Sequence, residues 1–263
     1  MNSIKTAVIL AAGMGTRLQE ITNGNIPKGF IKVNGKTLVE RSIEKLRSLG
    51  IEKVYIVTGY LNEFYDELAK ENQYIVTKRN RKYKATGSMA SLAILEEDLK
   101  EDFLLLESDI IYEVYALIKV INHQEEDCIL LSGKTNSGDE CYVEVRNNNL
   151  YKISKDREQI ENIYGELVGI SKISSDLYKE MIKEYKKQSS KIYGCKNEEF
   201  EEYDYENKRA KKYDYENAIF DAAQRRRVGY FKIENLVWGE IDDKNHLERI
   251  NKIIIPQLEI NSF

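Results

Sequence analysis

The chain has 263 residues, 42% hydrophobic and 32% charged, enough for one large domain or two small ones around an ordinary core and unlike a disordered tail. Its 40 Lys and Arg against 44 Asp and Glu leave a formal net charge of -4, so no overall positive field gathers nucleic acid. The longest apolar runs, such as Phe103 to Leu106 and Cys128 to Leu131, fall far short of the roughly 20 residues that cross a bilayer, and no membrane insertion is expected.

Residues 1–12 carry a single Lys and run into a glycine loop without a small-residue cleavage site. They read as a first strand, not a signal peptide, and a cytoplasmic location is expected. Short apolar runs then alternate with amphipathic stretches. Strands are expected at Thr6 to Ala11, Lys53 to Thr58, Tyr74 to Thr77, Phe103 to Leu106 and Cys128 to Ser132. Helices are expected at Leu38 to Leu49, stopped by Gly50, and at Glu63 to Glu71, Ser88 to Asp98 and Tyr115 to Asn122. Nearly all-apolar strands alternating with helices predict an α/β fold, a Rossmann-like, mostly parallel sheet flanked by helices, with its ligand site at the carboxyl ends of the strands.

The pattern changes after Thr135. Turn residues at 136–139 and 147–149 bracket short alternating runs, a hairpin signal. Gly165 to Ile173 returns to a buried-strand composition, a helix opens at Ser175 and runs to about Lys187, and Gly229 to Ile233 is a last strand before a helix from Lys244 to about Ile255. Residues 136–227 are read as acceptor-site additions within a single domain spanning 1–263. A small repeat is present: Tyr203-Asp204-Tyr205-Glu206-Asn207 recurs as Tyr213-Asp214-Tyr215-Glu216-Asn217, and an apolar stripe of Ala218, Ile219, Ala222 and Ala223 suits the second copy for docking on the core. Cys128, Cys141 and Cys195 are an odd number at wide spacing, so neither a disulfide nor a zinc site is expected.

The chemistry is concentrated in Leu10-Ala11-Ala12-Gly13-Met14-Gly15-Thr16-Arg17, directly after the first strand. Glycines let the backbone turn tightly and present N–H groups to a phosphate, and a helix start beyond them adds its positive end. The loop lacks the Lys-Ser or Lys-Thr pair of a Walker loop and the third glycine of a dinucleotide fingerprint, which argues against both. Arg17 and Pro27-Lys28 bring two cations to the loop, an arrangement suited to a triphosphate losing pyrophosphate.

The glycine loop ending in Arg17, the spacing to Pro27-Lys28 and the run Gly29 to Glu40 resemble the nucleotidyltransferases that join a nucleoside triphosphate to a phosphorylated small molecule. Gly87-Ser88-Met89-Ala90-Ser91-Leu92, Leu104 to Tyr112, Ser137 to Glu140 and Tyr164 to Lys172 are similar to the branch of 2-aminoethylphosphonate cytidylyltransferases. Phosphocholine cytidylyltransferases are related but usually carry Asn in the Gly87 to Met89 segment. The resemblance covers nearly the whole chain except Lys186 to Lys212. It implies CTP and 2-aminoethylphosphonate as small-molecule substrates, Mg²⁺ as cofactor, and a product used to attach phosphonate to cell-surface lipids or glycans. Phosphocholine, a sugar 1-phosphate, or a silent regulatory role on the same fold are the alternatives.

The resemblance implies site residues as well. Lys28, Arg17 and Asp109 would be catalytic, with residues 10–17 and Gly87, Ser88 and Met89 on the nucleotide. Asp109, just past a buried strand, and Asp242, in Trp238-Gly239-Glu240-Ile241-Asp242-Asp243, stand at the family's metal positions, and Asp243 is a natural N-cap for the last helix. On the acceptor side, Lys28 and Lys155 would attract the phosphonate, and Asp139, Glu140, Glu166 or Glu216 would meet the ammonium, with Tyr142 or Tyr215 as aromatic partners. A phosphonate whose second ionisation lies near about 6 needs no catalytic His, and His123 and His246 read as ordinary surface or helix residues.

Overall fold

The structure, a computed structural model, describes residues 4–193 and 212–260. The first copy of the repeat, Tyr203 to Asn207, and Cys195 lie outside the described residues. Thirteen strands occur among them: β1 (Thr6–Ala11), β2 (Lys32–Val33), β3 (Lys36–Thr37), β4 (Lys53–Thr58), β5 (Ile75–Arg79), β6 (Phe103–Glu107), β7 (Ile110–Tyr112), β8 (Cys128–Ser132), β9 (Tyr142–Arg146), β10 (Asn149–Ser154), β11 (Gly165–Ile173), β12 (Gly229–Ile233) and β13 (Trp238–Glu240).

The main sheet runs β10-β9-β11-β6-β1-β4-β5, with β8 on β11 and β12 on β8. β1 pairs in parallel with β4 and with β6, and β4 with β5. β11 is antiparallel to β6, β8 and β9. From β1 the chain works outward through β4 to β5 and then returns past β1 to β6. The connections leaving β1 and β6 therefore diverge, and a crevice opens at their carboxyl ends.

Both sheet faces are covered, as period-two side chains on a buried parallel strand require. Val8 and Leu10 of β1 pack with Met89, Leu92, Leu177, Met181 and Ala218. Ala7, Ile9 and Ala11 pack on the other face with Val39, Ile43, Leu46, Ala116 and Leu117. The helix Leu38–Ser48 starts where its sequence says it should: Glu40 N–H donates to Thr37 Oγ1 at 3.2 Å and Thr37 N–H donates to Glu40 Oε2 at 2.9 Å, a reciprocal cap. A third cluster, Leu18, Ile31, Val33, Leu38, Ile111, Ile241, Ile250 and Ile254, ties the carboxyl-terminal helices to the segment after the glycine loop.

Some boundaries differ from expectation. The helix at Ser88 is regular only to Ala93 and continues as turns to Asp98. The helix from Ser175 extends to Tyr193. The last helix runs on to Ile260 through a π segment, Ile250–Ile254, just ahead of Pro256, whose missing N–H breaks the regular bonding ladder. No helix among the described residues is long and apolar enough to cross a membrane.

Candidate active site

The glycine loop leaves β1 at the crevice between β1 and β6. Gly15 has φ +56°, and a Cβ there would lie 2.8 Å from Cγ of Lys28, so glycine both makes the turn and gives the lysine stem its path. Beyond it stand only a 3-10 turn, Thr16–Leu18, and the four-residue helix Gln19–Thr22, ended by Asn23 and Gly24 at φ 50° and 67°. The expected helix start is thus too short to sum a macrodipole. The positive charge facing the loop comes from Arg17 and Lys28 instead.

Two acids distant in sequence meet that lysine because of a short ladder. β13 pairs antiparallel with β7, Glu240 opposite Ile110 and Trp238 opposite Tyr112, and Ile241 N–H donates to the Asp109 carbonyl at 2.9 Å. This register sets Asp109, just before β7, beside Asp242, just after β13. Lys28 Nζ donates to Asp109 Oδ2 at 2.9 Å and also to Asp242 Oδ1. Arg17 donates to Asp139 Oδ2 at 2.9 Å and lies 3.0 Å from Asp242 Oδ2. The Asp242 side chain is only 5% exposed. Burial works against the Lys28 ammonium, but Asp109 and Asp242 outweigh it and hold its pKa above the ordinary lysine value. Burial likewise opposes ionisation of Asp242, yet the charge of Lys28 and its hydrogen bond hold the carboxyl well below the usual range. Glu240 comes within 4.8 Å of both acid groups, Glu107 with Asp109 and Asp139 with Asp242.

The cavity, about 450 Å³, continues from this charged end to a second acidic wall. Tyr215 Oη donates to Glu107 Oε1 at 2.6 Å, and Glu216 stands nearby with its Oε2 sealed from solvent and without a hydrogen-bond partner. Burial and the charge of Asp109 push the Glu107 carboxyl up to about 7, and burial and Glu107 push Glu216 up to about 8. Lys155 faces this wall 3.5 Å from Asp139; burial opposes its charge, but Glu240, Asp139, Asp242 and Glu107 raise its pKa.

The raised Glu216 value carries a sign. Above the ordinary value of 4.5 the unfolded carboxyl is ionised while the folded one keeps its proton up to about 8. The folded state therefore binds the extra proton in that window, and the contribution of Glu216 to stability falls as pH rises. Thermal melts should show the Tm of Glu216→Gln gaining on wild type from pH 5 to pH 8. A gap that is constant or shrinks would contradict this assignment.

The second copy of the repeat docks on the cavity rim. Asp214 Oδ1 accepts from Ser88 N–H at 2.8 Å and from Ser88 Oγ at 3.1 Å, and Tyr215 N–H donates to Ser88 Oγ at 2.9 Å. Gly87 allows this approach, since a Cβ there would lie 2.4 Å from the Tyr213 carbonyl oxygen. Gly87→Ala should cost about 1–3 kcal/mol by overpacking and displace Tyr215 and Glu216. Its Tm should drop; melting like wild type would contradict the docking role.

Of the residues singled out from sequence, residues 10–17, Lys28, Gly87, Ser88, Asp109, Asp139, Glu140, Lys155, Glu166, Tyr215, Glu216 and Asp242 line this one cavity. Met89 and Tyr142 are not among the lining residues. Met89 is fully buried in the core, and Tyr142 donates through its hydroxyl to Glu140 Oε2 at 3.2 Å. Glu166 lines the cavity but accepts from Thr135 N–H at 3.0 Å and Thr135 Oγ1 at 2.6 Å. Asp243 caps the helix from Lys244 as expected, accepting from His246 N–H at 3.0 Å. His246 is no surface residue: it is 5% exposed and lies in the cavity wall. Sequence reasoning left Glu107 and Glu240 out of the site. Glu107 had a usable signal, as the last residue of a buried strand beside the glycine-loop strand; Glu240 had none apart from its neighbours.

A mostly parallel mixed sheet with a glycine loop at its switch point, two cations facing that loop and acids gathered opposite them define a nucleotidyltransferase. The family model for the MobA-like NTP transferase domain matches residues 7–155, more than half of the chain. The chain belongs to that family. It is 40% identical over 99 residues to choline-phosphate cytidylyltransferase of Streptococcus pneumoniae, covering 38% of this chain and 42% of that one. It is 27% identical over 197 residues to CTP:phosphoglutamine cytidylyltransferase of Campylobacter jejuni, covering 68% of this chain and 77% of that one. The chain thus spans about two fifths of the length of the first of these relatives. The inositol-1-phosphate CTP transferase of T. maritima shares the fold, with a TM-score of 0.72 at 19% identity over 96% of this chain and 98% of that chain.

Proposed function

We propose that the protein transfers CMP from CTP to the phosphonate of 2-aminoethylphosphonate, giving CMP-2-aminoethylphosphonate and pyrophosphate. The relatives named for CTP support the nucleotide. One observation carries the acceptor: among the four acids considered for the ammonium, Glu216 has a sealed carboxyl oxygen with no partner, and an arriving ammonium would take the place of the proton it keeps in the free protein. Glu166 is held by Thr135, Asp139 by Arg17 and Lys155, and Glu140 by Tyr142 and Gly138 N–H. A primary ammonium brings three donors to such an oxygen, whereas a trimethylammonium brings none and favours aromatic faces. Phosphocholine remains the rival acceptor.

In this reading the triphosphate lies along residues 12–17. A phosphonate oxygen attacks the α-phosphorus; the new P–O bond forms as the bond to the β-phosphate oxygen breaks, and pyrophosphate leaves. Lys28 and Arg17 stabilise charge on the transferring group, and Lys155 draws in the phosphonate dianion. A dianion needs no proton removed, so no general base is required. Asp109 and Asp242 belong to two acid groups that share Glu240; their oxygens are hard donors of the kind Mg²⁺ takes, and these residues would hold it. When bound, Mg²⁺ would neutralise charge on the triphosphate.

Pyrophosphate release from CTP with each acceptor tests the reading. A higher kcat/KM with 2-aminoethylphosphonate is expected; preference for phosphocholine would overturn the acceptor, and preference for another nucleotide would overturn CTP. Glu216→Gln should raise the KM for 2-aminoethylphosphonate about 10-fold, the loss of one charge-assisted hydrogen bond, with little change in the KM for CTP. An unchanged acceptor KM would remove Glu216 from the ammonium site.

A further inference from the structure

We propose that His246 is a positioning residue that clamps the loop carrying Asp139 to the chain segment carrying Asp242. The imidazole bridges two backbone groups: Nδ1 accepts from Asp242 N–H at 3.2 Å, and Nε2 lies 3.0 Å from the Ser137 carbonyl oxygen. An N–H can only donate and a carbonyl can only accept, so one neutral tautomer, protonated at Nε2, satisfies both. The residue is held at the start of its helix, because its backbone N–H donates to Asp243 Oδ1 at 3.0 Å. It touches no reacting atom and acts through the two acids it aligns.

The loop at 135–139 has further anchors on either side of Ser137, and His246 adds the one made through the backbone of Ser137. Thr135 is held by Glu166 through N–H and Oγ1, and the Thr135 carbonyl accepts from Arg249 at 3.4 Å. Two residues past Ser137, Asp139 reaches Arg17 at 2.9 Å and Lys155 at 3.5 Å. Both of these cations belong to the substrate-facing wall. The imidazole thereby ties the backbone of this loop to the backbone of Asp242, beside the side-chain link that Arg17 makes between Asp139 and Asp242. The kinetic consequences rest on the nucleotidyl-transfer reading above; the clamp itself does not.

Two substitutions separate the arms. His246→Asn keeps an acceptor near the Nδ1 position and loses the reach to Ser137, whereas His246→Gln keeps a donor near the Nε2 position and loses the Asp242 contact. With Mn²⁺ titrated into the free protein, His246→Gln should bind about 10-fold more weakly than wild type and His246→Asn within about 2-fold, the scale of residues that orient metal ligands. With whichever acceptor the wild type turns over, His246→Asn should raise the acceptor KM about 10-fold and His246→Gln should leave it within about 2-fold. Two variants indistinguishable from each other in both measurements would overturn the clamp, as would variants that match wild type. A wild type that turns over no acceptor would defeat the functional reading, while Mn²⁺ binding would still decide the role of His246. Should either variant fail to fold, the nitrogen resonances of the wild-type imidazole decide: a neutral Nε2–H tautomer is expected, and an Nδ1–H tautomer overturns the proposal.

Discussion

Lys28→Met should lower kcat/KM about 10²–10³-fold, the scale seen when a preorganised donor to developing charge is removed. Lys28 is the cation that touches both Asp109 and Asp242 while standing beside the glycine loop. Methionine keeps most of the stem that runs past Gly15, so packing survives and the missing ammonium is isolated as the cause. The substitution has a second consequence. Asp109 and Asp242 then face each other without the charge that held them together, and like charges disfavour their joint ionisation. The free variant should melt below wild type, and a divalent cation should raise its Tm more than it raises that of wild type. Steady-state kinetics and melts with and without Mg²⁺ check both effects; turnover near wild type would end the assignment of Lys28 to the reaction.

Asp109→Ala should lower kcat about 10²-fold or more, the share of a group that helps hold a charge-neutralising cation. The fold should survive, because Asp109 supports the β7–β13 ladder through its backbone carbonyl, and Asp242 still pairs with Lys28 once the Asp109 carboxylate is gone. Asp242→Ala should have an effect of similar size. If both acids serve one ion, the pair acts as a unit, and the double variant should cost little more than the worse single variant. Free energies that simply add would place the two acids in separate roles. Kinetics at saturating CTP across a Mg²⁺ titration distinguish these outcomes.

The parallel core was legible because its strands are nearly all apolar and its helices keep a regular apolar spacing with punctuation such as Gly50 at one end. The glycine loop, Arg17 and Lys28 were legible for the same local reason. What brings Asp109 to Asp242 was not: β7 and β13 are three residues each and far apart in the chain, too short for any periodicity to announce their pairing. The docking of Asp214 and Tyr215 on Gly87 and Ser88 was hidden likewise, since an apolar stripe predicts a helix but not its destination. Two of the residues singled out from sequence lie off the cavity lining for geometric reasons. Cys141 lines the cavity, so Tyr142, the next residue along an extended chain, points the other way. Ser88 and Ser91 lie on the cavity side of one helix, and Met89 is turned about 100° from Ser88, into the core. His246 looked ordinary because its partners are backbone groups, which leave no mark in sequence.

Phosphorus NMR of the protein incubated with CTP, Mg²⁺ and equal amounts of 2-aminoethylphosphonate and phosphocholine tests the central claim most directly. The account predicts that the phosphonate resonance moves and splits as it joins CMP in a P–O–P linkage, with pyrophosphate appearing in equal amount. An unchanged phosphonate signal while phosphocholine is consumed would contradict it.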